Sequence, residues 1–273
     1  MLTREGVEPM PELPDVEVRR KYLEENALGR RIDRVSVSDA RSLEGVTPTA
    51  LGRGLKGASF TAANRRAKYT LLPTDRGSTV LMHYGMTGDV LVRGKGEPKP
   101  KFNKVEFHFA DGGALDFSDI RLFGKVALYP TTDPGKIPDI ARLGPEPLDR
   151  SFTFKVFAGI VRSHRTTIHQ LLMDQSLIAG IGNIFSDEIC YQAGVRPDRN
   201  TATLTDAEVR RLYDSMKWVL RRAITLDADL DREPDRFIIP HRQKGGRCPR
   251  SDDPLVTRTI GGRTSYFCPK CQK

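Results

Sequence analysis

A chain of 273 residues with 38% apolar side chains has material for one large or two ordinary domains and can bury its own core. Its 44 Lys and Arg against 35 Asp and Glu leave a net +9, which favours a polyanionic partner, nucleic acid before a membrane surface. No apolar run approaches about 18 residues and the first twenty carry no secretory core. The expectation is therefore a cytoplasmic protein with no membrane partner.

In chain order, Pro14 to Leu28 reads as a helix, with Pro near its start, Asp15 and Glu17 in the first turn and Gly29 as its stop. Short β-rich runs follow at 32–37, 78–92, 104–109 and 114–117. In the third, Val105, Phe107 and Phe109 alternate with Glu106 and His108, and Asp111-Gly112-Gly113 supplies a hairpin turn. Strands and turns at this spacing predict a β-sandwich or barrel.

The segment 131–147 carries Pro134, Pro138, Pro145 and Pro147 and reads as a linker. Helical periodicity takes over beyond it. Thr205 and Glu208 form a capping-box pattern, and Val209, Leu212, Met216, Val219, Leu220 and Ala223 share one apolar face. Gly180-Ile181-Gly182-Asn183 interrupts a helix that resumes through Glu188, and Cys190 reads as plain core. From Arg236 onward nine Lys or Arg face only Asp252 and Asp253, a net +7, and three of the four cysteines (Cys248, Cys268, Cys271) gather there. In a reducing compartment such a cluster suggests a metal rather than disulfides.

Seven segments in order resemble the formamidopyrimidine-DNA glycosylase and endonuclease VIII family: 10–17 (MPELPDVE), 65–69 (RRAKY), 83–88 (HYGMTG), 119–124 (DIRLFG), 143–148 (LGPEPL), 180–185 (GIGNIF) and the cysteine tail. The resemblance implies an α+β protein: an N-terminal β-sandwich with flanking helices over 10–130, a linker at 131–147, a helix-two-turn-helix domain over 148–235 and a zinc-finger-like β-hairpin over 236–273. Residues 1–9 are then an extension, absent or disordered in the mature protein. The implied function is base-excision repair, by a monomer acting on double-stranded DNA with oxidised bases or abasic sites in the bacterial nucleoid.

The implied chemistry is carried residue by residue. Pro11, once N-terminal, attacks C1′ of the damaged nucleotide and forms a Schiff base. A terminal α-amine, with a pKa of about 8, is partly neutral near pH 7, whereas an ordinary lysine is almost fully protonated. Glu12 corresponds to the general acid, Lys68 to a lysine acting near the abasic sugar, and Arg263 to a finger arginine that grips flanking phosphates and assists the second elimination. Asn183 with nearby N–H groups, and Lys104, are DNA-binding residues. Met86, Arg121 and Phe123 correspond to the residues that fill the hole left by a flipped base. No organic cofactor is implied.

Three departures matter. Ser251 stands where a second finger cysteine is expected, leaving the zinc with Cys248, Cys268 and Cys271 and a fourth ligand open among His241, Asp252, Asp253 or none. Only 26 residues run from Ala223 to Cys248, short of a Gly-rich lesion-closing loop, and Leu122 replaces a second basic residue beside Arg121. These two leave oxidised pyrimidines or simple abasic sites open as substrates. Finally, a Pro11 that is not N-terminal has an amide nitrogen without nucleophilicity, and the alternative is then a catalytically silent binder of damaged DNA.

Overall fold

The computed structural model describes residues 10–273; the extension 1–9 lies outside the described residues. Helix α1 (Leu13–Asn26) places Pro14 in the first turn, where its missing N–H has no helical partner to lose, and Asp15 at the positive end of the helix dipole. It ends two residues before the expected Leu28. Gly29 at φ +71° turns the chain away and donates its N–H to the Phe60 carbonyl.

The chain divides into two units, Val16–Ala141 with Pro11, and Arg142–Lys273 with Glu12–Asp15. In the first unit β1 (Ile32–Val37), β6 (Asn103–Phe109), β7 (Ala114–Asp119) and β5 (Gly88–Arg93) pair in that order as one antiparallel sheet. A second sheet runs β2 (Asn64–Arg66), β3 (Tyr69–Pro73), β4 (Thr79–His83) and β8 (Lys125–Tyr129). Their apolar faces share a core with Leu51 and Leu55 of α2 (Pro48–Leu55), including Phe60, Val80, Val105, Phe107 and Phe117. This is the expected sandwich. Burying aromatic and branched side chains from both sheets is what makes the alternating pattern at Val105, Phe107 and Phe109 cooperative.

Two readings change here. The run 78–92 is two strands of different sheets, because Gly85 adopts φ +58° and the Gly88 N–H closes a turn on the Tyr84 carbonyl. The segment 131–147 is packed structure: Asp133 caps a 3₁₀ turn (Pro134–Lys136), α3 (Pro138–Ala141) follows, and Ile137 and Ile140 are buried. Pro134 and Pro138 sit at the starts of the 3₁₀ turn and the helix, where the fixed φ is an asset.

The second unit holds α4 (Phe154–Ser163), α5 (Ile168–Met173), α6 (Asn183–Ala193) and α7 (Asp206–Thr225). The capping box forms as expected, with the Thr205 hydroxyl accepting from the Glu208 N–H and the Glu208 carboxylate from the Thr205 N–H. All six apolar positions read along α7 are buried. Between α5 and α6 the chain makes two successive turns, the helix-two-turn-helix. The tail forms the hairpin of β9 (Val256–Ile260) and β10 (Arg263–Phe267). Cys190 is fully buried in the helical core, and burial pushes its thiol up, so it is inert packing. Among the described residues no helix is long and apolar enough to cross a membrane.

Candidate active site and nucleic-acid interface

Gly182 ends the double turn and Asn183 starts α6, so the first N–H groups of α6 have no carbonyl partner within the helix. Glu12 supplies one. Its buried carboxylate accepts from the N–H of Gly182 at 2.5 Å, Ile184 at 2.8 Å and Phe185 at 3.3 Å. A side chain at position 182 would meet this carboxylate, with a Cβ only 2.6 Å from Glu12 Oε1. The N–H groups expected to serve phosphate beside Asn183 are therefore taken up by Glu12. Pro11, its neighbour in the chain, is buried.

Asn183 itself donates its amide to the Thr264 carbonyl at 2.9 Å and faces His169 Nε2 at 3.1 Å through its oxygen. One turn on, the fully buried Asp187 binds Arg242, Ser265 and the Tyr266 N–H. Arg263, at the start of β10 and just after Gly261 and Gly262, both at positive φ, is exposed, and its guanidinium makes no hydrogen bond among the described residues. It lines an open cleft of about 480 Å³ with Arg165, Gln170 and Asp174. Asn183 and Arg263 are thus brought onto neighbouring elements. His169, Asp187 and Arg242 escape sequence reading, since a lone Asp inside a helix resembles a solvated residue; its spacing of four from Asn183 is the one available signal.

In the first unit Lys68 lies between two paired strands. Arg66 pairs with Tyr69, and Ala67 at φ +52° makes a two-residue turn, so Lys68 sits at a hairpin tip. His83, across from Tyr69 with ring centroids 4.9 Å apart, accepts the Gly85 N–H on Nδ1. Burial, and then the Lys68 charge, hold His83 below its usual pKa, so it is neutral near pH 7 with its proton on Nε2.

Met86 lies in the turn 84–88 and Arg121 and Phe123 in the turn 120–124, and the two turns press together. A Cβ on Gly85 would lie 2.5 Å from the Gly124 nitrogen and 2.7 Å from Phe123 Cβ. Thr87 Oγ1 accepts the Arg121 N–H at 3.0 Å, and the buried Asp119 carboxylate binds Thr87 and the N–H groups of Arg121 and Gly124. Phe123 is 53% exposed with the Arg121 guanidinium 5.2 Å above its ring. An aromatic held out of a core by a pinned turn suits a wedge better than packing. Lys104 lies on β6 beside Asp39 and is half-buried.

The ligand atoms of Cys248, Cys268 and Cys271 lie within 4.8 Å of one another, with 3.6 Å between the sulfurs of Cys248 and Cys271. Ser251 Oγ is 3.5 Å from Cys268 Sγ and fills the remaining corner. Of the other candidate ligands, His241 is engaged with the Asp235 carbonyl and Asp252 with Arg247, while Asp253 pairs with Lys270 and hydrogen-bonds Ser251. Burial pushes the Cys248 thiol up, but hydrogen bonds from Ser251, Tyr191 and the Arg250 N–H outweigh it and bring it to about 6. Three thiols, one readily ionised, and a hydroxyl fit a thiophilic divalent ion such as zinc.

A family model for the formamidopyrimidine-DNA glycosylase N-terminal domain matches residues 10–126, and one for the helix-two-turn-helix domain of the same enzymes matches 143–233. The chain is 36% identical to the formamidopyrimidine-DNA glycosylase of Symbiobacterium thermophilum, over 96% of this chain and 89% of that one. It is also 36% identical to that of Geobacter metallireducens, over 96% and 100%. Among solved structures it resembles Lactococcus lactis formamidopyrimidine-DNA glycosylase bound non-covalently to DNA containing an AP site, with a TM-score of 0.86 and 28% identity over 96% and 99% of the two chains. A complex of the same L. lactis enzyme with DNA containing an oxidised pyrimidine matches with a TM-score of 0.87, 28% identity and coverage of 96% and 100%. Both domain models, relatives matching almost end to end, and the shared fold place this chain in the formamidopyrimidine-DNA glycosylase family.

Proposed function

We propose that the protein is a bifunctional base-excision enzyme that removes oxidised bases from double-stranded DNA and cleaves the resulting abasic site. The observation that carries this reading is the Glu12 carboxylate, buried on three N–H donors at the start of α6 and covalently next to Pro11. With a free α-amine, the neutral Pro11 nitrogen attacks C1′, the bond to the base breaks, and the base leaves with the proton that the nitrogen gives up through Glu12. Opening of the sugar ring, its oxygen protonated through Glu12, leaves an iminium between Pro11 and C1′. Loss of a C2′ proton then expels the 3′ phosphate, and a second elimination expels the 5′ phosphate.

In this reading Lys68 at its hairpin tip serves the sugar and its phosphate, with the neutral His83 beside it. Arg263 and Asn183 hold the flanking phosphates, Lys104 adds charge to the DNA-binding surface, and Met86, Arg121 and Phe123 fill the vacated stack. Zinc held by the three finger cysteines would fix the hairpin and take no part in the chemistry. Oxidised purines, oxidised pyrimidines and plain abasic sites are all within reach of this machinery, and the short segment 224–247 and Leu122 favour the latter two.

Borohydride trapping on abasic-site DNA tests the reading. Protein beginning at Met10, with the Met removed, is expected to be trapped covalently, whereas protein retaining residues 1–9 or carrying Pro11→Gly is trapped far less. Equal trapping of all three overturns Pro11 as the nucleophile. Salt-sensitive binding without trapping or strand cleavage in the trimmed protein identifies a silent damaged-DNA binder instead.

A further inference from the structure

The hairpin that carries Arg263 has strands of five residues joined by Gly261-Gly262, too little to hold one conformation alone. Among the described residues its hydrogen bonds to α6 come from three consecutive residues. Thr264 accepts from Asn183, Ser265 donates to Asp187 Oδ1 at 2.5 Å, and the Tyr266 N–H donates to Asp187 Oδ2 at 2.9 Å. Arg242 closes the same carboxylate with Nε at 3.0 Å and Nη2 at 2.8 Å. We infer that Asp187 is a positioning residue: it locks the strand carrying Arg263 to the helix that begins with Asn183, so that the two DNA-facing side chains act as one unit.

Physical chemistry favours a rigid junction. A carboxylate with no exposure to water is tolerated only when its oxygens are filled, and four donors from two separate segments fill these. Moving the hairpin would strip Oδ1 of its Ser265 donor and Oδ2 of the Tyr266 N–H at once, leaving only Arg242 in place. His169 contributes from the other side of Asn183. Burial holds its pKa down, so the neutral ring donates Nε2–H to the Asn183 oxygen and turns the amide toward Thr264. The inference rests on the proposed DNA contacts of Arg263 and Asn183.

The test uses protein beginning at Met10 and single-turnover cleavage of duplex DNA with a preformed abasic site. Asp187→Asn is expected to lose about ten- to a hundredfold in rate, the scale of a misplacement of ~1 Å. Ser265→Ala, which leaves the Arg242 pair intact, should lose less, and it carries the test if Asp187→Asn does not fold. The decisive reading is the double-mutant cycle: in an Arg263→Ala background either substitution should add less than about twofold, because the group it positions is gone. Losses that multiply in that background, or wild-type rates in both single variants, overturn the inference. Arg263→Ala cutting at the wild-type rate overturns the reading beneath it as well, a result distinct from a multiplicative cycle on an impaired Arg263→Ala.

Discussion

The Glu12 carboxylate accepts the Ile184 N–H at 2.8 Å, so a residue beside the proposed nucleophile is held by the helix that Asn183 starts. Two substitutions separate its charge from its placement. Glu12→Gln puts an amide donor against a cluster of N–H donors and should cost about 1–3 kcal/mol of stability. Gly182→Ala leaves the carboxylate chemically intact but drives a methyl group into it. Both are expected to lose at least about tenfold in base release, in line with the usual contribution of a positioned proton donor. Quantified release of an oxidised base under single-turnover conditions checks this; wild-type release by Gly182→Ala would show that the placement is unimportant.

The close approach of the two turns in the first unit makes Gly85 and Gly77 an informative pair. Both have positive φ, +58° and +76°, but a Cβ at Gly77 meets nothing within 4 Å while one at Gly85 collides with Phe123 and Gly124. Gly77→Ala should cost about 1 kcal/mol, the strain of a left-handed L-residue, and leave cleavage unchanged. Gly85→Ala adds overpacking, for a total of about 3 kcal/mol, and splays Met86 from Phe123. Denaturant melts give the first difference. The second is a drop in cleavage of base-paired lesions, where the stack must be opened, larger than that at lesions opposite a gap.

Legibility in the sequence followed residue type. Glu12, Asn183, Arg121 and Arg263 stand in segments whose glycines and prolines fix the backbone locally, so the pattern carries the placement. The six buried positions of α7 were readable because one period of 3.6 decides them. The hairpin tip that carries Lys68 was not readable because the turn depends on Ala67 entering positive φ, which no side chain at that position announces. Asp187 and His169 were hard to read for a different reason: each is polar and buried only because distant segments bring it donors or a partner. The 131–147 segment reads as a linker from its prolines, yet Ile137 and Ile140 within it are buried.

Ser251 predicts a metal site weaker than one with four thiolates. In protein loaded with cobalt(II), Ser251→Cys should add one thiolate's share of charge-transfer absorption and slow release to a chelator by at least about tenfold. Identical spectra in the two proteins would mean that position 251 does not face the ion. Stripping the metal should lower the melting temperature while leaving the buried contacts of Tyr191, Ile238 and Cys248 to support the hairpin.

Glu188 and Glu233 give the fold a built-in pH dependence. Burial pushes both carboxyls up to about 7, Glu233 adds to the effect on Glu188 by repulsion, and neither oxygen of Glu233 has a hydrogen-bond partner among the described residues. Between roughly pH 4.5 and 7 the folded protein keeps protons that the unfolded chain has released, so stability falls as pH rises through that window and levels off above it. Glu233→Gln removes one of the two protons and relieves the other. It should flatten the slope by about 1 kcal/mol per pH unit and raise stability at pH 8 while changing it little near pH 4.5. Thermal melts of the two proteins across this range, compared as differences so that thiol and metal effects cancel, decide the matter: parallel curves would mean that Glu233 does not hold its proton in the folded state.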